Sequence, residues 1–556
     1  MWAADYASLL SPPLAYAACA VALVAGALLL LPFSRLFRSR LRAPVGGDAR
    51  RLSIAGSFVL GRWRELVVIR RDDVEHMVMT GGPTDVVIET ILDDTGLEIS
   101  ESDIAWLDEQ SPDEVYPGRA RLFLEGAKGI IGAEGLIPLA LLSGAAGAGA
   151  GVICGLFRLA LEKADRFRSS IPLWWQDRPL LGLSLLIAGA SAAAALSALL
   201  VRRYSVHAAG SGIPQVEAAI RGDLSPAPLV LLPVKFFGGL LAIGAGLALG
   251  REGPCVQMGA TFAHLLGKKF RRSARDCRAL LAAGAGAGLA AAFNAPFAGS
   301  AFVLEELLRR FETRNVIAAL GASGSAIVVA RLLIGSAPDF AVADIFQPTL
   351  GDNLLCFLLG IVAGLCGAIY NRTLFGALAI MDRLTRWPAE ARAAMVGAAA
   401  GALAWFAPGL AGGGDALTQR TLDGTEALAL LPLIFALRLI LGAASYAAGT
   451  PGGLFAPLLA LGAQMGFVFG WLFDPAEADP ASHAAAFAIV GMAALFTAVV
   501  RAPLTGMILV TEMTANSVLL LPMLAACFSA MAVATILNEP PIYDALRERV
   551  VALWRK

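Results

Sequence analysis

Between about Glu134 and Leu537 one apolar run follows another, and several are too short to cross a bilayer. A helix needs ~20 residues to span ~30 Å of hydrocarbon. Residues 136–161, 180–200, 316–334, 354–380 and 455–473 reach that length, whereas residues 297–304, 395–406 and 504–510 do not. Gly or Pro cuts many of the runs. In lipid a broken helix survives only where its freed backbone groups are buried in protein or line a water-filled cavity. Short, interrupted segments are the pattern of transporters whose half-helices meet near the midplane. An all-α polytopic membrane protein is therefore expected. The chain is 57% hydrophobic and 16% charged, against about half and a quarter in soluble domains, which agrees. Its 59 glycines suit close helix packing and helix breaks.

One carboxylate interrupts this apolar body. Residues 229–249 carry a single charge, Lys235, and lead into Gly250-Arg251-Glu252-Gly253-Pro254. An ionisable side chain at membrane depth is costly and marks a candidate site. Two further stretches are of similar build: Gly210-Ser211-Gly212-Ile213-Pro214 upstream and Gly453-Leu454-Phe455-Ala456-Pro457 downstream.

The pattern repeats inside the chain. Pro457 lies 203 residues after Pro254, with Gly453 over Gly250, Phe455 over Glu252 and Gly462 over Gly259. Pro503 lies 207 residues after Pro296, and Glu305 and Glu512 each stand nine residues past their proline. Two blocks with nearly equal offsets imply two related halves.

Three Gly/Pro-rich loops ahead of apolar helices can aim free backbone N–H groups and the positive helix end at one point. That arrangement attracts a small anion without a full cation that would hold it too tightly for turnover. Ser211 adds a hydroxyl donor, and Phe455 narrows the path. Glu252 repels anions, so it reads either as a competitor that blocks when charged and leaves when protonated, or as a cap on the helix that follows. Of Glu305 and Glu306, about 100° apart on a helix, one can face the interior and the other solvent; a plain helix-end pair is the other reading. Tyr543 in Pro540-Pro541-Ile542-Tyr543 offers a hydroxyl to an anion or sits as an interfacial tyrosine.

Other functions find little support. Lys+Arg and Asp+Glu balance at 44 each, and no basic-aromatic stripe points to nucleic acid. The seven cysteines form no C-x-x-C pair and the four histidines are scattered, so no metal site is expected. No nucleophile–base set accompanies the carboxylates, so neither an enzyme nor a cofactor is expected.

With these residues assembled, the sequence from about Glu134 to Tyr543 resembles the CLC family of chloride channels and chloride/proton antiporters, closest to the bacterial antiporters. The resemblance rests on the three filter signatures, Gly210 to Pro214, Gly250 to Pro254 and Gly453 to Pro457. It also covers Pro233-Val234-Lys235-Phe236-Phe237-Gly238-Gly239 and Phe293-Asn294-Ala295-Pro296. It implies two inverted-topology halves and a multi-pass homodimer in the cell inner membrane, with one anion pathway per subunit. It implies that Ser211, Tyr543 and the backbone near Leu454 and Phe455 hold chloride. Glu252 would be the gating glutamate, and Glu306 would relay protons to the cytoplasm. Chloride/proton exchange is the expected function, with a proton-gated chloride channel as the alternative. Two departures stand out: Gln215, where a close bacterial relative has an acid, and Arg309-Arg310, which bears on proton access to Glu306.

The amino-terminal part reads differently. An apolar run at residues 14–31 is followed by a basic string at 34–42, which suits an anchor (1–33) with cytoplasmic continuation. Short β-type runs at 66–69, 74–79 and 86–88 indicate a small β domain (34–95), then an acidic linker (96–133) before the transport domain (134–556). Residues 1–95 are similar to FliO-type flagellar export proteins, which adds a flagellar export accessory role as a further alternative.

Overall fold

The computed structural model describes residues 52–61, 64–71, 74–80, 86–92, 135–342, 348–384, 386–473 and 480–554. The anchor read at 14–31, the basic string and the linker at 96–133 lie outside the described residues. The chain divides into two units. In one, β1 (Leu52–Gly61), β2 (Arg64–Arg71), β3 (Val74–Thr80) and β4 (Val86–Leu92) form an antiparallel sheet in the order β1-β2-β3-β4. Val67 pairs with Ser57 on one side and Val78 on the other. The runs are rich in Val and Ile, whose branched side chains suit a pleated surface.

The other unit is helical. Its first half comprises α1 (Leu136–Trp174), α2 (Pro179–Tyr204), α3 (Ile213–Arg221), α4 (Leu231–Gly244), α5 (Glu252–Lys269), α6 (Ala274–Phe293), α7 (Pro296–Phe302) and α8 (Thr313–Ile334). Its second half comprises α9 (Leu350–Arg383), α10 (Ala389–Phe406), α11 (Asp415–Leu422), α12 (Leu431–Ala447), α13 (Phe455–Phe473), α14 (Pro480–Val500), α15 (Pro503–Thr514) and α16 (Leu520–Ile536); α17 (Ile542–Trp554) follows. Each half runs long, long, short, then broken. Among the described residues eight helices are long and apolar enough to cross a membrane. The protein is a multi-pass membrane protein whose outward Leu141, Leu180, Leu332 and Ile536 suit a lipid surround.

The sequence repeat is a structural repeat. Gly259 of α5 lies on Gly284 of α6, and Gly462 of α13 lies on Gly491 of α14. A Cβ at Gly462 would fall 2.6 Å from the Gly491 carbonyl oxygen. Only a residue without Cβ lets the two backbones approach so closely. These contacts put α6 and α14 at the buried centre of the unit. The carboxylates of the second repeat block reach across to each other's half. Glu512 accepts from the N–H groups of Phe297 (3.2 Å) and Ala298 (2.8 Å) at the start of α7. Glu305 accepts from those of Leu504 (2.9 Å) and Thr505 (2.6 Å) and from the Thr505 hydroxyl (2.7 Å) at the start of α15. Glu305 thus turns to a facing helix terminus, where a carboxylate satisfies orphan N–H groups, and not to solvent as the helical-wheel argument allowed.

Candidate functional site

Three helices begin at the signature loops, and the proline of each signature lies in the first turn. Pro214 is the second residue of α3, Pro254 the third of α5 and Pro457 the third of α13. Proline is tolerated there because that N–H has no helical partner in any case. The loops are stitched to one another by main-chain bonds. Gly250 and Gly453 exchange N–H···O bonds of 2.9 and 2.7 Å as an antiparallel bridge, the pairing a two-fold relation between halves requires. Gly210 donates to the Thr450 carbonyl (3.2 Å) and accepts from Gly452 N–H (3.1 Å). Gly212 has φ +91°, a conformation that carries a steric penalty for any residue with a Cβ. A Cβ at Gly253 would meet Ser211 O and Oγ at 2.7 Å, so the first and second signatures touch.

Glu252 sits at this junction, fully buried. Its Oε1 accepts from the Phe455 backbone N–H at 2.6 Å, the first N–H of α13. The carboxylate therefore serves the facing helix of the other half. The Phe455 ring packs against Tyr543 (centroids 5.7 Å apart), Phe302 (5.8 Å) and Phe496 (4.7 Å). Tyr543, in the first turn of α17, is fully buried. Ser211 Oγ, Tyr543 OH and Glu252 Oε2 are buried polar atoms without a protein hydrogen-bond partner among the described residues. Ser211, Glu252, Leu454, Phe455 and Tyr543 thus belong to one buried cluster. Buried polar atoms are usually paired, and these three are among those of the described residues that are not.

Two signature side chains point elsewhere. Arg251 leaves the junction to donate to Ala292 O (3.0 Å), Asp339 (3.0 Å) and Asp415 (3.1 Å). Ile213 is a core residue. Gln215, one of the two departures, donates to Ala209 O at 3.0 Å and braces the first loop.

Glu306 sits in a π turn (Val303–Leu307) that continues α7. The Leu308 N–H reaches back to Val303 O at 2.9 Å to close it. Such single-turn bulges are frequent at functional sites. The Glu306 side chain is 3% exposed, and Arg309 stands 3.6 Å from its Oε1. A cavity of about 380 Å³ is lined by Glu305, Glu306, Arg309 and Arg501 among others.

Residues 193–535 match the profile of a family described as voltage gated chloride channel. The chain belongs to the CLC family. The H(+)/Cl(-) exchange transporter ClcA of Cronobacter sakazakii is 38% identical over 416 residues, covering 72% of this chain and 88% of the relative. That of Vibrio parahaemolyticus is 37% identical over 429 residues, covering 75% and 91%. Among solved structures, a slow cyanobacterial Cl-/H+ antiporter superposes with a TM-score of 0.71 at 32% identity, over 75% of this chain and 99% of that one. A CLC-type fluoride/proton antiporter gives 0.61 at 25% identity, over 73% and 97%.

Two buried cations of this CLC chain escaped the sequence reading as site elements. Lys235 of α4 is fully buried, and its Nζ donates to Ala208 O (3.1 Å) and Gly210 O (2.8 Å), fixing the Ser211 loop. Arg438 of α12 donates to Leu410 O (2.9 Å), Gly412 O (2.7 Å) and Gly413 O (2.8 Å), fixing the loop before α11. Arg438 follows Lys235 by 203 residues, the offset between the two prolines of the first repeat block. Extending that offset to charged residues would have found the pair.

Proposed function

We propose that this chain is a secondary active transporter that exchanges chloride for protons across the cell inner membrane. The observation that carries the proposal is the 2.6 Å bond from Phe455 N–H to the buried Glu252 carboxylate. A negative group already occupies the place at which a half-helix N-terminus aims its free donors. An arriving chloride competes for the same donors, with Ser211 Oγ, Tyr543 OH and the backbone at Leu454 and Phe455 as its ligands. Protonation of Glu252 weakens its hold on Phe455 N–H and lets it swing aside, so anion passage and proton uptake become one event. Glu306, buried beside the inner cavity, passes the proton to the cytoplasm. The names of the relatives, H(+)/Cl(-) exchange transporters, support this reading.

In this proposal, transport belongs to residues 134–556, and the protein works as a non-enzymatic homodimer in the lipid bilayer. Each subunit needs no residue from its partner, since one chain supplies the whole cluster. The test is a pair of variants reconstituted in liposomes. Glu252→Ala should pass chloride without moving protons or responding to pH. Glu306→Gln should keep chloride flux and lose proton movement. Proton uptake driven by chloride through either variant would refute the role of that residue. A proton-gated channel differs by letting no chloride gradient move protons uphill.

A further inference from the structure

Arg309 follows the π turn that holds Glu306, with φ +53°, a left-handed backbone that side-chain-bearing residues rarely adopt. From that position its guanidinium faces three ways. Its Nε donates to the Glu306 carbonyl at 3.3 Å. Its terminal nitrogen stands 3.6 Å from the buried Glu306 carboxylate and 3.0 Å from Asp544 Oδ2. Among the described residues it is the one cation within 4 Å of that carboxylate. Asp544 immediately follows Tyr543 in the first turn of α17. Its other oxygen pairs with Arg221 at 3.2 Å, and Arg221 pairs with Glu217, on the helix that starts beside Ser211.

We propose that Arg309, clasped by Asp544, is a positioning residue for the proton half of the exchange. It holds Glu306 at the head of the inner cavity and ties its charge state to the helix bearing Tyr543. The inference rests on the antiport reading given above. While Glu306 is charged, the guanidinium is shared between two carboxylates. When Glu306 takes a proton, Arg309 settles on Asp544, because the charge-assisted bond is the stronger one. The first turn of α17, and Tyr543 with it, then feels the change. The groups around Glu306 are Glu305 and Arg309 on its own segment, Glu217 on α3 and Asp544 on α17, with Arg501 lining the same cavity. Of these, Arg309 is the cation that comes within 4 Å of the carboxylate.

The test uses the full chain in liposomes under a chloride gradient, with chloride efflux and proton uptake recorded together. Arg309→Ala should keep chloride efflux within about twofold and lower the proton-to-chloride ratio about threefold or more. Arg309→Lys, which keeps the charge, should recover most of the ratio. Asp544→Asn, of nearly unchanged size, should lower the ratio in the same direction. The double variant should be no worse than Arg309→Ala alone, because the two act through one bond. A wild-type ratio in both single variants overturns the clasp alone. Parallel loss of both fluxes in both overturns it too, since that marks a folding role. Wild-type protein that moves chloride without protons overturns the antiport reading, and the clasp with it.

Discussion

Removing the Glu252 carboxylate should tighten chloride binding by a calculable amount. In the wild type an anion must first displace a carboxylate from Phe455 N–H, held at 2.6 Å with no solvent in contact. A hydrogen bond to a charged group is worth about 1.5–3 kcal/mol net. At about 1.4 kcal/mol per factor of ten, Glu252→Ala should bind chloride ~10- to 150-fold more tightly. Glu252→Gln keeps a neutral acceptor worth about 0.5–1.5 kcal/mol and should fall between the two. The assay is calorimetric titration of chloride into purified protein, previously exchanged into a large organic anion, at neutral pH. Affinities of wild type and Glu252→Ala that agree within about twofold would refute the competition, because the magnitude follows directly from the bond.

Two further outcomes follow from the framework around the site. Lys235→Met leaves the Ala208 carbonyl buried and unpaired, at about 1–3 kcal/mol, and takes from the Gly210 carbonyl one of its two donors, the other being Gly452 N–H. It should lower the thermal midpoint and cut chloride flux more than ~10-fold, and unchanged values of both would contradict the role assigned to Lys235. Glu305→Ala and Glu512→Ala each uncap one helix start, on α15 and α7. Both should destabilise by about 1–2 kcal/mol in thermal unfolding, and a large difference between them would argue against equivalent halves.

Much of this architecture was legible because bilayers punish exceptions. A charge amid apolar residues, Glu252, had to be functional or structural, and glycines before short apolar runs had to be helix breaks. The 203- and 207-residue offsets mark both halves in the sequence itself, since the glycine crossings at Gly259 and Gly462 and the paired caps at Glu305 and Glu512 all obey them. What escaped depends on three-dimensional direction. The 203-residue offset makes Glu252 and Phe455 equivalent positions, yet no spacing rule says that one bonds the other across the two halves. The helical-wheel argument set Glu305 and Glu306 on different sides but could not name the facing helix start that Glu305 caps. The short polar helix α11 has no apolar run to announce it. Lys235 was visible as a lone charge, yet its role rests on which carbonyls it reaches. The anchor at 14–31 and the linker at 96–133 lie outside the described residues.

The claim that anion and proton share one gate is tested most directly in sealed liposomes containing the wild-type protein, with equal pH on both sides and high chloride outside. Inward chloride movement should drive protons out of the vesicle against the gradient they create, and clamping the voltage at zero should not abolish it. Chloride uptake with no proton movement under those conditions would contradict the account.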